Sequence, residues 1–571
     1  MQTKLANWSQ DQCFEFDDIF NIVYDGSFLY RSWLNVKSNR GSSTPGVDGT
    51  VAEDYAEDLQ ENLKALRRKL KSGTYSSEPV RRAYIPKGPE EVRPLGIPTV
   101  EDRIVQESLR LTLEPIYETD FSDYSFGFRP NRNCHDAIKP VATQMAPAAG
   151  AYKHWILDLD IKGYFDNVHH RKLMYVLQDR ITDQGVLDLI YDTLKSGVKE
   201  NGSVQVTGRG TPQGGIVSPL LANVYLNELD QWIKGWTEGK RGGDENWAYV
   251  RYADDFLIMT DGPKSRAEGM MGEVKSFLEE ELRLKPSAEK SSLAHAEDGL
   301  SFLGYDLQAD TTSGACKRYV PQEAKDYILG QIHKATDGST DLSANCKIRS
   351  LNAVLRGWAN YYKYCTDAAK VFGGVYHRAW NQLMDWLGAK FECSLRWLIV
   401  RHLDSHYPIS IAGATLTGIG DMSTIRTESP LRHTHPYLGE GGDTSPENHW
   451  GEPYRTGHPG PDPYLGNKEE REGLRDLAST ARVRDGNVCQ AEGCTEGGWG
   501  EGNLPVHHVR QRKSVDDDRL ENLVTLCEGC HHKVHYTDEP IVAYHKGKDE
   551  NLFGGLPRAF KFNREAPVSV L

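Results

Sequence analysis

The chain has 571 residues, 38% of them hydrophobic, enough for several domains that each bury a core. Its formal net charge is −14, from 67 Lys and Arg against 81 Asp and Glu, which runs against a protein that grips nucleic acid through bulk positive charge. The polar start Met1-Gln2-Thr3-Lys4-Leu5-Ala6-Asn7 is neither a signal peptide nor an Arg- and Ser-rich transit peptide, and no apolar run approaches the ~20 residues of a membrane helix. A bacterial cytoplasm, with no membrane partner, is the simplest expectation.

In chain order, Leu59, Leu63, Leu66 and Leu70 recur at helical spacing and stop near Gly73, predicting a helix. Trp155 to Ile161 reads as a strand, with Ile156, Asp158 and Asp160 on one face and Leu157, Leu159 and Ile161 on the other. Two short strands are predicted on either side of Tyr252-Ala253-Asp254-Asp255, from Tyr249, Val250 and Tyr252 and from Phe256-Leu257-Ile258-Met259. A helix is expected over about 270–284, with Val274, Phe277, Leu278 and Leu282 on its apolar face. Residues from about 322 to 400 are helical and aromatic; Tyr361, Tyr362 and Tyr364 suit either base stacking or a core. From about 428 to 467 the chain is rich in Pro, Gly, His and acid and reads as a loop-rich DNA-binding region or linker. Basic clusters occur at Arg67-Arg68-Lys69 with Lys71, at Arg81-Arg82, and at Arg510 with Arg512-Lys513, although each alone is also what a solvated face looks like.

Chemistry concentrates in two places. Two adjacent carboxylates on a tight hairpin need a countercharge, and hard divalent cations such as Mg²⁺ supply it. A second acidic strand beside that hairpin is what a two-metal phosphoryl-transfer site requires, with metals ~3.5–4 Å apart serving the attacking and leaving oxygens. Near the C-terminal end, Cys489 with Cys494 and Cys527 with Cys530 form two pairs able to complete a tetrahedral Zn²⁺ site, which suits a reducing compartment. His507-His508, Asn522, His531 and His535 lie among them, and the last two would share one side of a helix.

The motifs run in an order that resembles the reverse transcriptases encoded by group II introns. Thr44-Pro45-Gly46-Val47-Asp48-Gly49 resembles the family's first block, and Ile85-Pro86-Lys87 through Arg93-Pro94-Leu95-Gly96-Ile97-Pro98 the second. That second block continues to Gln106, Glu114-Pro115 and Ser125-Phe126-Gly127-Phe128-Arg129-Pro130. Asp160 to Asp166, Gly210 to Leu221, and Tyr252 to Asp255 are similar to the third, fourth and fifth blocks, and Ser301-Phe302-Leu303-Gly304-Tyr305 to the seventh. Leu351-Asn352 with Leu355 to Tyr362 resembles the thumb or maturase segment.

The resemblance implies a metal-binding triad of Asp160, Asp254 and Asp255, and a triphosphate clamp of Lys87 and Arg93, whose point charge and planar fork suit phosphate. It implies that Phe165 screens the sugar 2′ position in favour of dNTPs, its other reading being an ordinary core phenylalanine. Gln213 with Gly214-Gly215 would bring backbone close to the nascent base pair. The C-terminal set resembles an HNH endonuclease of the ββα-metal type. In that pattern His508 is the general base, Asn522 orients it, and His507, His531 and His535 surround one divalent metal, Mg²⁺ or similar. A structural zinc ribbon with incidental histidines is the alternative.

The fold expected is α+β and multidomain. A right-hand polymerase has fingers and palm over 1–310, with an antiparallel sheet, and a helical thumb or maturase domain over 311–400. A DNA-binding linker over 401–475 precedes a small zinc-containing HNH domain over 476–571. The expected function is RNA-directed DNA synthesis, assistance to the splicing of its own intron RNA, and nicking of target DNA to prime synthesis. The alternatives are a free-standing reverse transcriptase in repair or defence, a DNA-templated polymerase carrying a nuclease, and a non-catalytic RNA-binding splicing factor. Decay to the last of these typically removes the aspartates, and all three are present.

Overall fold

The computed structural model describes residues 1–438 apart from 87–91, 149, 151, 201, 206–207, 212–213, 240–245, 339, 341, 395, 399–409, 412–413 and 424–434; beyond these it describes four strand segments between 506 and 562. Contacts divide the chain into two units, one of Met1–Lys325, Tyr362–Val371 and Ser423–Pro459, the other of Asp326–Tyr361, Phe372–Met422 and Gly460–Leu571.

The first unit opens with helices α1 (Gln2–Ser9), α2 (Phe20–Val23), α3 (Gly26–Ser38), α4 (Ala52–Glu57) and α5 (Leu59–Lys71). The leucine spacing produced α5 as expected: Leu66 and Leu70 are fully buried, and Leu59 and Leu63 pack at the margin of the same core. Strands β1 (Val80–Pro86) and β2 (Val92–Ile97) form an antiparallel pair extended through β4 (Val198–Glu200) and β5 (Ser203–Gln205), in the order β2-β1-β4-β5. Helix α6 (Val100–Tyr117) follows, capped by the Thr99 hydroxyl, which accepts from the Asp102 amide, and is buried along nearly its whole length.

The central sheet is antiparallel, of β3 (Trp155–Leu159), β6 (Trp247–Tyr252), β7 (Asp255–Thr260) and β8 (Ser292–His295), in the order β6-β7-β3-β8. The inner strands β3 and β7 are covered on both faces, which is why Ile156 and Leu157, and Phe256 to Met259, are all buried and the sequence reads as unbroken apolar runs. Around this sheet the chain adds α7 (Cys134–Gln144), α8 (Tyr164–Asn167), α9 (His170–Gln178), α10 (Gln184–Lys195), α11 (Ser218–Thr237) and α12 (Lys264–Glu280). Helix α12 starts and ends earlier than its apolar spacing suggests. Pro263 caps its start, and beyond its end Arg283 turns to φ +52° while Leu282 and Leu284 stay buried, so the apolar period outlasts the helix.

Strands β9 (Leu300–Phe302), β10 (Tyr305–Asp310) and β11 (Ala315–Tyr319) form a second antiparallel sheet. Its first turn, Leu303-Gly304, has positive φ at both residues, the twist a two-residue hairpin favours. Tyr362 packs against Tyr305, with ring centroids 5.4 Å apart, and Tyr364 against His135 at 5.0 Å; Tyr362 is a core side chain.

The aromatic region forms helices α13 (Gln322–Thr336), α14 (Ala344–Tyr362) and α15 (Ala368–Phe391). In the second unit, Trp358 packs on Phe372 at 5.6 Å, and the Asn352 side chain donates to the Thr415 carbonyl (2.7 Å) and accepts from the Thr417 amide (2.8 Å). Strands β12 (Ser410–Ile411) and β13 (Ala414–Thr415) pair there, as do β14 (Val506–His508) with β15 (Leu523–Thr525) and β16 (Ile541–Tyr544) with β17 (Ala559–Phe562). Among the described residues, no helix is long and apolar enough to cross a membrane.

Candidate active site

Strands β6 and β7 pair as a hairpin in register Tyr252↔Asp255, so Ala253 and Asp254 are its two-residue turn. Ala253 has φ +58°, a conformation that favours glycine at the first turn position, and it is held from two sides. Beneath it lies Gly127: a Cβ added there would fall 2.3 Å from the Ala253 amide nitrogen. Behind it, the Arg251 guanidinium donates to the Ala253 carbonyl (3.0 Å) and to Asn223 Oδ1 (2.9 Å), and forks onto both oxygens of Asp230 at 2.7 and 2.6 Å. Arg251 and Asp230 are fully buried, and the Tyr249 hydroxyl donates to the same carboxylate (2.7 Å). Asn223 and Asp230 stand two turns apart on α11, one helical face aimed at the hairpin. Asn223 also donates to the Gly127 carbonyl (2.8 Å), closing the network.

Outside β6, the segment Tyr124–Phe126 runs along the sheet edge: Arg251 N donates to the Tyr124 carbonyl (2.8 Å) and Phe126 N to that of Arg251 (2.9 Å). Arg129 serves this segment, paired with Glu118 at 2.8 Å in a buried bridge and donating to the Ser125 carbonyl (2.7 Å). A Gly127→Ala variant should therefore displace the hairpin turn. The overpacking costs about 1–3 kcal/mol, which urea melts check.

Strand β3 ends at Leu159, opposite Phe256, so Asp160 emerges just past the strand end. Its backbone is fixed by Ser287 N donating to the Asp160 carbonyl (2.8 Å), and Lys290 Nζ stands 3.6 Å from its carboxylate. The carboxylates of this end of the sheet feel one another. Burial and then Asp160 push Asp158 up to about 6. Burial and the Asp160 charge raise Asp254, opposed by its own backbone amide, Arg93 and Lys290. Crowding by protein, then Asp254, Asp160 and Asp158, push Asp255 up to about 7, against Lys290. Water still reaches Asp255, so solvent screens part of its shift. Among the described residues, no group of three or more His, Cys, Asp and Glu side chains is closed into metal-binding geometry. Four carboxylates at one end of the sheet, with the exposed Lys290 beside Asp160, nonetheless suit a hard divalent cation better than any further side chain.

The other expected residues fall into place unevenly. Arg93, exposed on β2, is near enough to lower Asp254; Lys87 and Gln213 lie outside the described residues. Gly214, at φ +112°, lies against β2, where a Cβ would meet the Gly96 carbonyl at 2.5 Å, so the close approach its glycine permits is to the strand that carries Arg93. Ile216 N donates to the Gln106 side chain (2.8 Å), which ties this loop to α6. Thr211 N donates to the Phe165 carbonyl (2.7 Å). Phe165 is half-buried, edge-on to Phe128 at 6.0 Å. Lys290, Arg251, Asp230 and Asn223 belong to the site although no sequence motif marks them, and of Asp158 the sequence shows only that it faces the same way as Asp160. In the C-terminal segment, β14 and β15 pair with His508 opposite Leu523, next in sequence to Asn522. Cys489, Cys494, Asn522, Cys527, Cys530, His531 and His535 lie outside the described residues.

Residues 85–307 match the family "Reverse transcriptase (RNA-dependent DNA polymerase)", residues 326–403 the "Group II intron, maturase-specific domain", and residues 489–537 the "HNH endonuclease". The chain is similar to Protein YkfC of Escherichia coli (strain K12), 37% identical over 54% of this chain and 87% of the relative. It is also similar to the group II intron-encoded protein LtrA of Lactococcus lactis subsp. cremoris, 34% identical over 57% of this chain and 61% of the relative. The chain belongs to the group II intron-encoded proteins. It thus spans about three fifths of LtrA, and it matches nuclear intron maturase 1, mitochondrial, of Arabidopsis thaliana more distantly, 26% identical over 36% of this chain and 40% of that one. As a group II intron-encoded protein it combines a reverse transcriptase, a maturase-specific domain and an HNH endonuclease, of which the first and last are metal-dependent types of enzyme. The acidic hairpin and the end of β3 both fall inside the reverse transcriptase match.

Proposed function

We propose that this chain is the protein partner of an intron RNA, copying RNA into DNA at Asp160, Asp254 and Asp255, aiding the splicing of that RNA, and nicking target DNA so that the cut end primes synthesis. The observation that carries the polymerase reading is the Asp254–Asp255 hairpin set beside the end of β3, where burial and neighbouring carboxylates push Asp255 up to about 7. Mg²⁺ held by Asp160, Asp254 and Asp255 would supply charge neutralisation for the primer 3′-oxygen and the departing pyrophosphate. Arg93 and Lys87 bind the triphosphate of the incoming dNTP. Phe165, backed by Phe128, excludes a ribose 2′-hydroxyl, and the Gln213 loop bears on the nascent pair. Support for a right-hand layout comes from the antiparallel sheet that carries the acidic hairpin, flanked by β1–β2 and followed by α13 to α15.

The domain reading is fingers and palm over 1–310, thumb or maturase domain over 311–400, linker over 401–475 and HNH domain over 476–571, in keeping with the matched ranges. In the last of these, Cys489, Cys494, Cys527 and Cys530 hold a structural Zn²⁺, while His507, His531 and His535 surround the nuclease metal and Asn522 orients the base His508. An His508→Ala variant should lose nicking of the target duplex by about a hundredfold or more and extend primers at the parental rate. Unchanged nicking would place the base elsewhere. The bacterial sources of YkfC and LtrA favour a bacterial cytoplasm.

The test of the whole reading is to purify the protein from its host and sequence the RNA bound to it. A single structured RNA that itself encodes this chain supports the intron ribonucleoprotein. A diffuse mixture of cellular RNAs overturns it in favour of a free-standing polymerase.

A further inference from the structure

On a chain with a formal charge of −14, one patch of the first unit concentrates cations. His169 is the N-cap of α9, Arg171 lies in its first turn, Arg209 precedes the Gly210-Thr211 loop, and Arg283 follows α12. These segments are joined by backbone: His169 and Arg209 are bridge partners, Gly210 N donates to the Val168 carbonyl (2.8 Å), and His170 Nε2 meets the Gly210 carbonyl at 2.7 Å. The Tyr225 hydroxyl, donating to the Leu282 carbonyl (2.6 Å), fixes the third segment. Arg171, Arg209 and Arg283 are all exposed, and burial, then the neighbouring Arg283, Arg209, His170 and Arg171, hold the His169 imidazole below its usual range. Of the carboxylates on the packed helices, Glu228 of α11 is occupied by Lys172 at 3.9 Å, and Glu281 follows the end of α12.

A second observation points the same way. Arg283 takes φ +52° between two fully buried leucines, a conformation glycine adopts freely and an arginine only at a steric cost. That cost sets the Arg283 guanidinium beside Arg171 and Arg209, three positive charges that one phosphate backbone can address together. One turn along α9 from Arg171, Tyr175 is 63% exposed with the Lys172 ammonium 5.5 Å from its ring, adding an aromatic surface beside the cations. The patch also adjoins the polymerase centre in the chain: Phe165 to His169 continues from the Asp160 end of β3, and Thr211 N reaches the Phe165 carbonyl.

We propose that His169, Arg171, Arg209 and Arg283 bind the sugar–phosphate backbone of the primer–template duplex beside the polymerase centre. The proposal rests on the polymerase reading above. Its partner is a phosphodiester backbone, read without base specificity, because exposed guanidinium groups address phosphate rather than base edges.

The test is fluorescence anisotropy of the full chain with a DNA primer annealed to an RNA template, over a range of KCl concentrations, for the parent and an Arg209→Gln/Arg283→Gln variant. Both substitutions are on exposed side chains, and a far-UV CD melt verifies folding. Each lost phosphate contact should lower the slope of log affinity against log salt by about 0.7–0.9, and affinity near physiological salt should fall roughly tenfold. Lys264→Gln, an exposed pair partner of Glu268 at the far end of α12, should leave the slope at the parental value. A double variant with the parental slope overturns the proposal, as does an equal fall with Lys264→Gln, which would make the effect one of bulk charge. A fall seen with isolated intron RNA but not with primer–template also overturns it. If the parent extends primers but the double variant keeps its slope, this site alone fails; if the parent neither binds nor extends primer–template, the polymerase reading fails with it.

Discussion

Primer extension by an Asp254→Asn variant should fall by about a thousandfold or more, because a bound divalent cation is worth several kcal/mol of charge stabilisation and each 1.4 kcal/mol is a factor of about ten. RNA binding should survive, since the hairpin turn keeps its shape with an isosteric amide. The same substitution should leave the metal-free protein no less stable, which separates a lost ligand from a lost fold. The reason is the crowding of Asp158, Asp160, Asp254 and Asp255. Asp255 holds its proton up to about 7 in the folded protein against an ordinary 3.8. Between those values the folded chain binds more protons than the unfolded one, so metal-free stability falls as pH rises from about 4 to about 7. Removing the Asp254 charge lets Asp255 ionise more easily and flattens that slope. Thermal melts in chelator at pH 5 and pH 8 check this: the parent should lose more on going to pH 8 than the variant. Synthesis near the parental rate would sink the metal assignment.

Local chemistry was legible in the sequence because it depends on neighbours in the chain. The β-branched and aromatic runs on either side of Ala253 and Asp254 predict the β6–β7 hairpin, and the leucine spacing predicts α5. The start of α12 is set by Pro263 and its end by a backbone turn at Arg283, neither of which hydrophobic periodicity reports. What supports the hairpin was not legible, since its parts meet only in three dimensions. Asn223 reaches a carbonyl 96 residues away, at Gly127, and that glycine's need for space is created by a turn on another strand. Asp158 was visible as an acid facing the same way as Asp160, but its share in raising Asp255 requires knowing that β3 and β7 pair in the register Asp158↔Leu257. The exposed cations around His169 come from three separated segments and are diluted to nothing in a net charge of −14. For the C-terminal cysteines and histidines the sequence pattern and the HNH match speak alone, apart from the pairing of the His507-His508 strand.

Arg251→Met should destabilise the first unit by about 3–5 kcal/mol, because it leaves Asp230 charged and buried without its partner. That single variant cannot distinguish a fold element from a positioning one, and a double variant can. Arg251→Met with Asp230→Asn removes both charges, and the amide oxygen still accepts from the Tyr249 hydroxyl, so most of the stability should return. What cannot return is the bond from Arg251 to the Ala253 carbonyl and the one to Asn223, which together hold a turn whose φ of +58° an alanine adopts only under constraint. Released, that turn relaxes and carries Asp254 away from the end of β3. The double variant should therefore melt within about 1–2 kcal/mol of the parent yet synthesise DNA roughly a hundredfold more slowly, with nicking by the HNH segment unaffected. Recovery of synthesis in step with stability would reduce Arg251 to a packing residue. Loss of synthesis in a stable protein makes the buried guanidinium the part that aims the catalytic carboxylates.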